Sequence, residues 1–256
     1  MDTSKYISKV EGHALVLGGS GGIGSEIVRA LVANGARAIS LTYSRNKKAA
    51  DDLSAELAPL GVKVYAAPVD QSDETAFKKF LEDAVSANGE EIAIAVNAIG
   101  ISPNTPIGEQ TLDEWRKVFE VNVFGCFAST RAIAERMKAQ AVKGSIVLIT
   151  STNGINSHSS ISAHYDASKA AQSHMMKILA EEYAPAGLRI NGVAPGWINT
   201  SMNDTLPEDE RVKEMAKIWS GRFAEPHEIA VFVAFIVGTG GAYTYGQNFM
   251  VDGGYR

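Results

Sequence analysis

Short apolar runs and stretches of helical periodicity alternate along the chain. His13-Ala-Leu-Val-Leu17 is the first apolar run, and its length predicts a buried strand. Ile23, Ile27 and Leu31, with Val28 and Val32, then recur at helical spacing. The alternation continues with strands at 38–43, 63–67 and 92–96. Between them lie helices with apolar stripes at Ala49, Ala50, Leu53 and Leu57, and at Phe77, Phe80, Leu81, Ala84 and Val85. Ser72 stands where it can cap the second of these. Strands alternating with helices predict a parallel sheet covered on both faces.

The second half keeps the rhythm. Thr111-Leu-Asp-Glu114 reads as a capping box opening a helix whose buried stripe is Trp115, Val118, Phe119 and then Val123. Strands follow at 145–150, 189–193 and 248–251, with a helix from Tyr165 to about Tyr183 and an apolar helix at 226–237. Residues 201–222 are polar with scattered apolar positions after Pro207, which predicts a helical lid over a site. No linker, repeat or low-complexity run divides the chain, so the expectation is one domain over 1–256.

Composition narrows the function classes. Hydrophobic residues make up 45% of the chain, enough for a full core, and the net charge of −5 with no dense basic cluster argues against a nucleic-acid partner. The single cysteine, Cys126, excludes an internal disulfide and suits a reducing compartment. It reads as a small buried hydrophobe within Phe124-Gly-Cys-Phe127. No apolar run approaches the roughly 18 residues of a membrane helix, and the start shows no leader pattern. A cytoplasmic protein is expected. No cluster of His, Cys and carboxylates has metal-site spacing.

Chemistry enters at the ends of the strands. Gly18-Gly19-Ser20-Gly21-Gly22-Ile23-Gly24 lies between the first strand and the first helix, the context a phosphate-binding turn requires. The glycines let the backbone approach a pyrophosphate, and the helix start offers free N–H groups and positive partial charge. The second strand ends in Thr42, Tyr43 and Ser44 with no carboxylate to meet a ribose 2′-hydroxyl, and Arg45, Lys47 and Lys48 follow. Positive charge there suits a 2′-phosphate, hence NADP(H) rather than NAD(H). Tyr165 and Lys169 share a helix face at four-residue spacing. An ammonium beside the phenol is expected to lower its pKa and make Tyr165 a usable acid or base. Ser151 falls at the carboxyl end of the fifth strand. Asn122, an amide in an apolar stretch, either holds a kink or positions a water.

These motifs, in this order, resemble the short-chain dehydrogenase/reductase family over essentially the whole chain. The likeness is greatest to the branch of 3-oxoacyl-(acyl-carrier-protein) reductases and related carbonyl reductases. It implies a Rossmann-like, doubly wound, seven-stranded parallel sheet in the order 3-2-1-4-5-6-7. The family's Thr-Gly-x-x-x-Gly-x-Gly falls on Leu17, Gly18, Gly22, Ile23 and Gly24, with the threonine hydroxyl missing. Asp70, beside Val69, matches the acidic residue that meets the adenine amine. Asn-Asn-Ala-Gly falls on Asn97, Ala98, Ile99 and Gly100 without its second asparagine, and Asn97 and Gly100 are implied neighbours of the adenosine ribose. Asn122, Ser151, Tyr165 and Lys169 match the catalytic tetrad, with Thr152 in reserve for Ser151. In that tetrad Lys169 also bonds the ribose, and Asn122 holds a water linking Lys169 to solvent. Pro195, Gly196, Trp197, Ile198 and Thr200 match the segment that meets nicotinamide.

The implied reaction is NADP(H)-dependent interconversion of a carbonyl and an alcohol. The alternatives are an oxoacyl-carrier reductase, a sugar or polyol dehydrogenase, or a non-catalytic NADP(H) sensor. Arg131, Arg136 and Lys138 are the basic residues that could meet an acidic carrier. The segment from 153 to 164, rich in serine, is expected to line the substrate site and favours a small polar or ketone substrate. Its His158 and His164 read as surface imidazoles. A homotetramer is implied, with the helices carrying Asn122 and Tyr165 at one interface.

Overall fold

The computed structural model describes residues 7–159, 161–203, 206 and 208–255. Seven strands form one all-parallel sheet in the order β3-β2-β1-β4-β5-β6-β7. They are β1 His13–Leu17, β2 Ala38–Tyr43, β3 Lys63–Pro68, β4 Ile92–Asn97, β5 Ser145–Ile149, β6 Arg189–Pro195 and β7 Asn248–Val251. The helices are α1 Gly22–Ala33, α2 Lys47–Leu57, α3 Glu74–Asn88, α4 Leu112–Phe119, α5 Cys126–Ala139, α6 Ala163–Tyr183, α7 Glu208–Ala216 and α8 Pro226–Val237.

The strands are apolar on both faces because both faces are covered. In β1, Ala14 and Val16 pack into the layer holding α1, α2 and α8, while Leu15 and Leu17 pack into the layer of α3, α5 and α6. β5 divides in the same way, Val147 and Ile149 against Ile146 and Leu148. The order reverses between β1 and β4, which opens a crevice at their carboxyl ends.

Local chemistry sets several boundaries. The capping box forms as read: Thr111 accepts from the Glu114 amide and Glu114 accepts from the Thr111 amide. The expected cap at Ser72 does not form. Asp73 caps α3 instead, accepting from Thr75 and Ala76 amides, while Ser72 Oγ donates to Asp70 Oδ1 at 2.7 Å. Ser72 is held by Asp70 through both its amide and its hydroxyl, which leaves the cap to Asp73. Between α4 and α5 the backbone widens into a π-helical turn, Glu120–Gly125, so the stripe read through Val123 is shifted there. The lid segment carries a short 3₁₀ turn, Ser201–Asn203, and α7; its expected start at Pro207 lies outside the described residues. Among the described residues no helix is long and apolar enough to cross a membrane.

A buried polar knot ties β1 to β2 and α3. His13 is fully buried; its Nδ1 lies 3.1 Å from the Glu90 carbonyl and its Nε2 lies 2.8 Å from Ser40 Oγ. The carbonyl can only accept, so Nδ1 carries the proton and Nε2 is the acceptor. A second proton would face Ser40 Oγ and the Asn88 amide, and the Glu90 and Glu91 charges favour it less than burial opposes it. Burial accordingly lowers the His13 pKa below its ordinary 6.5. The unfolded chain then binds the extra proton more readily, so this group's contribution to stability is complete above about 6.5 and is lost as pH falls. We expect the Tm gap between the wild type and His13→Gln to narrow between pH 7 and pH 5. A gap that stays constant or widens would refute the buried neutral imidazole.

Candidate active site

β1 stops at Leu17 because Gly18 turns the chain through a left-handed conformation, φ +75°. α1 then begins at Gly22 with Gly21 as a cap that provides no side-chain hydrogen bond. A Cβ on Gly24 would stand 2.1 Å from the Gly18 carbonyl, so only glycine lets the helix come this close to the turn. The first-turn amides of α1 therefore face the crevice as donors at the positive end of a helix. This cradle fits a pyrophosphate. The hydroxyl missing at Leu17 has a substitute across the sheet. Thr42 Oγ1, from the end of β2, accepts the Gly18 amide at 2.9 Å.

Further along the rim, Tyr43 is half-buried and Ser44 and Arg45 are exposed at the carboxyl end of β2. Lys47 and Lys48 are taken up by Asp51 and Asp52 one helical turn on, at 2.7 and 2.6 Å. Arg45 enters no ion pair among the described residues. Asp70 follows β3 on the same rim, with Ser72 holding its carboxyl below the usual range. The Asn97 side chain is buried and fully engaged within the fold. Its Nδ2 donates to Gln71 Oε1 at 2.8 Å and to Ser129 Oγ at 3.2 Å, and its Oδ1 accepts the Ile99 amide. The asparagine missing at Ala98 therefore leaves no gap in this network; the Ala98 amide bonds the Leu17 carbonyl.

A cleft opens above the ends of β4, β5 and β6. Ile23, Gly100, Ser151, Tyr165 and Lys169 reach it, as do Pro195, Gly196, Ile198 and Thr200. Thr200 roofs the glycine turn, within 3.0 Å of where a Gly22 Cβ would stand. Ser151 follows the end of β5, accepts from the Asn153 amide, and acts on the Tyr165 hydroxyl to lower its pKa against burial. Thr152, the reserve candidate, spends its hydroxyl on the Pro195 carbonyl at 3.3 Å. Asn122 clamps the loop beneath Gly100: its Oδ1 accepts the Ile101 amide at 2.9 Å, and its Nδ2 donates to the Ile101 carbonyl and to Ser168 Oγ, both at 3.0 Å. Its side chain is committed to holding the widened turn against α6.

Lys169 is 3% exposed, and its Nζ donates to the Ile149 carbonyl and to Gln172 Oε1, both at 2.8 Å. It lies 5.7 Å from the centre of the Tyr165 ring. The expected lowering of the tyrosine pKa is not what this arrangement produces. Burial pushes the Tyr165 hydroxyl up to about 12, against the Ser151 hydrogen bond and with the Asp166 charge adding to the rise. Burial draws Lys169 down to about 8. Burial leads both shifts, and the ammonium spends its hydrogen bonds on the Ile149 carbonyl and Gln172.

Two imidazoles were expected at the surface; only His158 is exposed. His164 is fully buried where α6 tucks beneath α4, edge-on to Trp115, and its Nδ1 accepts the Tyr165 amide at 2.8 Å. Neither lines the cleft. Arg131 pairs with Glu74, Arg136 with Glu91, and Lys138 lies over the Tyr183 ring, all away from the cleft. The serine-rich segment does reach it, through Ser157, Ser159 and Ser162. Asp166 organises that wall, accepting from Asn153 Nδ2 and Ser162 Oγ at 2.8 Å and from the Ser159 amide at 2.6 Å. Sequence reading missed Ser102, Asn104 and Tyr255 in the lining. Tyr255 arrives only because β7 delivers the chain's end to the cleft, where its hydroxyl bonds Glu214.

Residues 18–256 match the family described as enoyl-(acyl carrier protein) reductase. A 3-alpha-(or 20-beta)-hydroxysteroid dehydrogenase of Mycobacterium tuberculosis is 34% identical over 253 residues, covering 98% of this chain and 91% of that protein. The 3-oxoacyl-(acyl-carrier-protein) reductase of Salmonella typhimurium is 34% identical over 243 residues, covering 94% and 96%. The solved structure of a short-chain dehydrogenase/reductase from Serratia marcescens superposes with a TM-score of 0.87 at 32% identity, covering 96% of this chain and 98% of that one.

The Thr42 bond carries a stability consequence. Thr42→Val leaves the Gly18 amide without an acceptor and should lower stability by about 1–3 kcal/mol, read by denaturant unfolding. A cost under about 0.5 kcal/mol would mean the turn does not depend on Thr42.

Proposed function

The chain belongs to the short-chain dehydrogenase/reductase family, and on that premise we propose that it is an NADP(H)-dependent reductase of small ketones or aldehydes, with Tyr165 as the proton donor. The observation that carries the reading is Ser151, Tyr165 and Lys169 converging on one cleft beside a glycine cradle. When bound, the nicotinamide exchanges a hydride with the carbonyl carbon. Ser151 orients the carbonyl oxygen by hydrogen bonding, and Tyr165 gives that oxygen its proton. A hydroxyl held at about 12 stays protonated near neutral pH and so has its proton to give, but it is a weak acid until charge beside it brings that pKa down. Lys169 would hold the sugar of the cofactor with its ammonium, seated on the Ile149 carbonyl and Gln172. Gly18, Gly22, Ile23 and Gly24, with Ser20, would hold the pyrophosphate, and Arg45 beside Tyr43 and Ser44 a 2′-phosphate. Asp70 would meet the adenine, and Pro195, Gly196, Ile198 and Thr200 the nicotinamide.

The cleft is lined by serines and by apolar Ile161, Trp197, Met202 and Leu206, which suits a small ketone with an apolar body, and Arg131, Arg136 and Lys138 are engaged elsewhere rather than placed to meet an acidic carrier. We read a cytoplasmic homotetramer, supported by exposed Phe124 and Phe127 on one face and exposed Val231, Phe235 and Met250 on another. The segment around α7 is read as the lid of a single domain.

Two measurements decide this. Tyr165→Phe should cut kcat by on the order of 100-fold or more while NADPH binding, read by fluorescence titration, stays within about twofold. Near-wild-type turnover would overturn the assignment. Arg45→Ala should raise KM for NADPH by roughly 10-fold and leave KM for NADH unchanged. Equal effects on both coenzymes, or wild-type preference for NADH, would remove the 2′-phosphate reading.

A further inference from the structure

Lys169 has a partner that the tetrad does not include. Gln172 is fully buried one turn along α6 and stands between two groups of opposite demand. Its Oε1 accepts from Lys169 Nζ at 2.8 Å, and its Nε2 donates to Cys126 Sγ at 3.1 Å. An ammonium has only donors, so the carbonyl end of the amide must face Lys169. The NH₂ end then needs an acceptor in an apolar layer, and the Cys126 sulfur supplies it. Cys126 is itself buried in α5, its thiol pushed up by burial and 4.0 Å from Thr130 Oγ1.

We propose that Gln172 is a positioning residue for Lys169, seating the ammonium on the floor of the cleft with an orientation that Cys126 fixes. This rests on the function proposed above and extends it to a group that touches neither substrate nor cofactor. The physical need is plain. A buried ammonium loses its water and must be given oxygens in return. β5 provides one, the Ile149 carbonyl, and Gln172 provides the other. The titratable groups facing Lys169 are Tyr165 of its own helix and Cys126 of α5; β5 and the Gly100 loop face it with backbone. None of these is an ionised partner in contact with it, so the two neutral acceptors hold the charge. The same bond aims Lys169 away from the phenol, which is the arrangement seen for Tyr165.

Lysine ¹³Cε labelling of the full-length protein gives a readout that needs no activity. The Lys169 resonance is identified by its loss in Lys169→Ala. In Gln172→Leu it should titrate about one pH unit below the wild type, because the charged form has lost an acceptor. Gln172→Glu keeps an oxygen there and should titrate at or above the wild type. In NADPH-dependent ketone reduction the alkaline limb of kcat should move in the same directions with KM for the ketone little changed. A merely structural Gln172 would lower turnover at every pH and leave the limb in place. An unmoved Lys169 titration in Gln172→Leu, or a fall in Gln172→Glu equal to that in Gln172→Leu, overturns the proposal. If Gln172→Leu fails to fold, Gln172→Met removes the same acceptor and carries the same expectation. A wild type inactive on every carbonyl would overturn the function reading instead, and the titration would still decide Gln172.

Discussion

An all-parallel sheet has to be covered on both faces, and most of this molecule follows from that requirement. Each strand must be followed by a crossover helix, so every carboxyl end falls on one edge. Reversal of the winding between β1 and β4 leaves a crevice on that edge which no helix fills. The glycine turn after β1, Ser151 after β5 and the Pro195 segment at the end of β6 are all delivered to it. The scaffold is apolar and repetitive; the chemistry sits where the repetition stops.

At that edge the protein must bury polar groups, and it does so in linked sets. Asn97 satisfies Gln71 and Ser129, Asn122 satisfies the Ile101 backbone and Ser168, and Asp166 gathers Asn153, Ser159 and Ser162. Each set fixes a loop that would otherwise be free to move, so rigidity near the cleft comes from hydrogen bonds rather than apolar packing. The burial that makes these bonds strong also moves the ionisable groups. Tyr165 rises and Lys169 falls because both are taken from water.

The two departures from the family pattern, at Leu17 and Ala98, are absorbed differently. At the turn after Leu17, Thr42 reaches from the neighbouring strand to accept the Gly18 amide. At Ala98 only the backbone bond to Leu17 remains, and the surrounding amide network closes through Asn97. A substitution can be neutral to a turn when the adjacent strand holds a hydroxyl at the right register.

Strand and helix order were legible in the chain because periodicity reports burial directly. β1 and β5 are apolar runs, α3 is a stripe, and Thr111 with Glu114 is a local bond between near neighbours. The placement of Tyr165 beside Lys169 followed from helical spacing alone. What spacing could not reach was any fact depending on partners distant in sequence. Nothing within α6 says that Lys169 is held by β5, that His164 is buried under α4, or that Tyr255 enters the cleft. Even the Ser72 cap was lost to a neighbour whose carboxylate sat closer to the helix start. Local pattern determines which elements form because it is set by each residue's own contact with water. Protonation, side-chain direction and the walls of the cleft depend on which elements meet, and only the tertiary structure decided that.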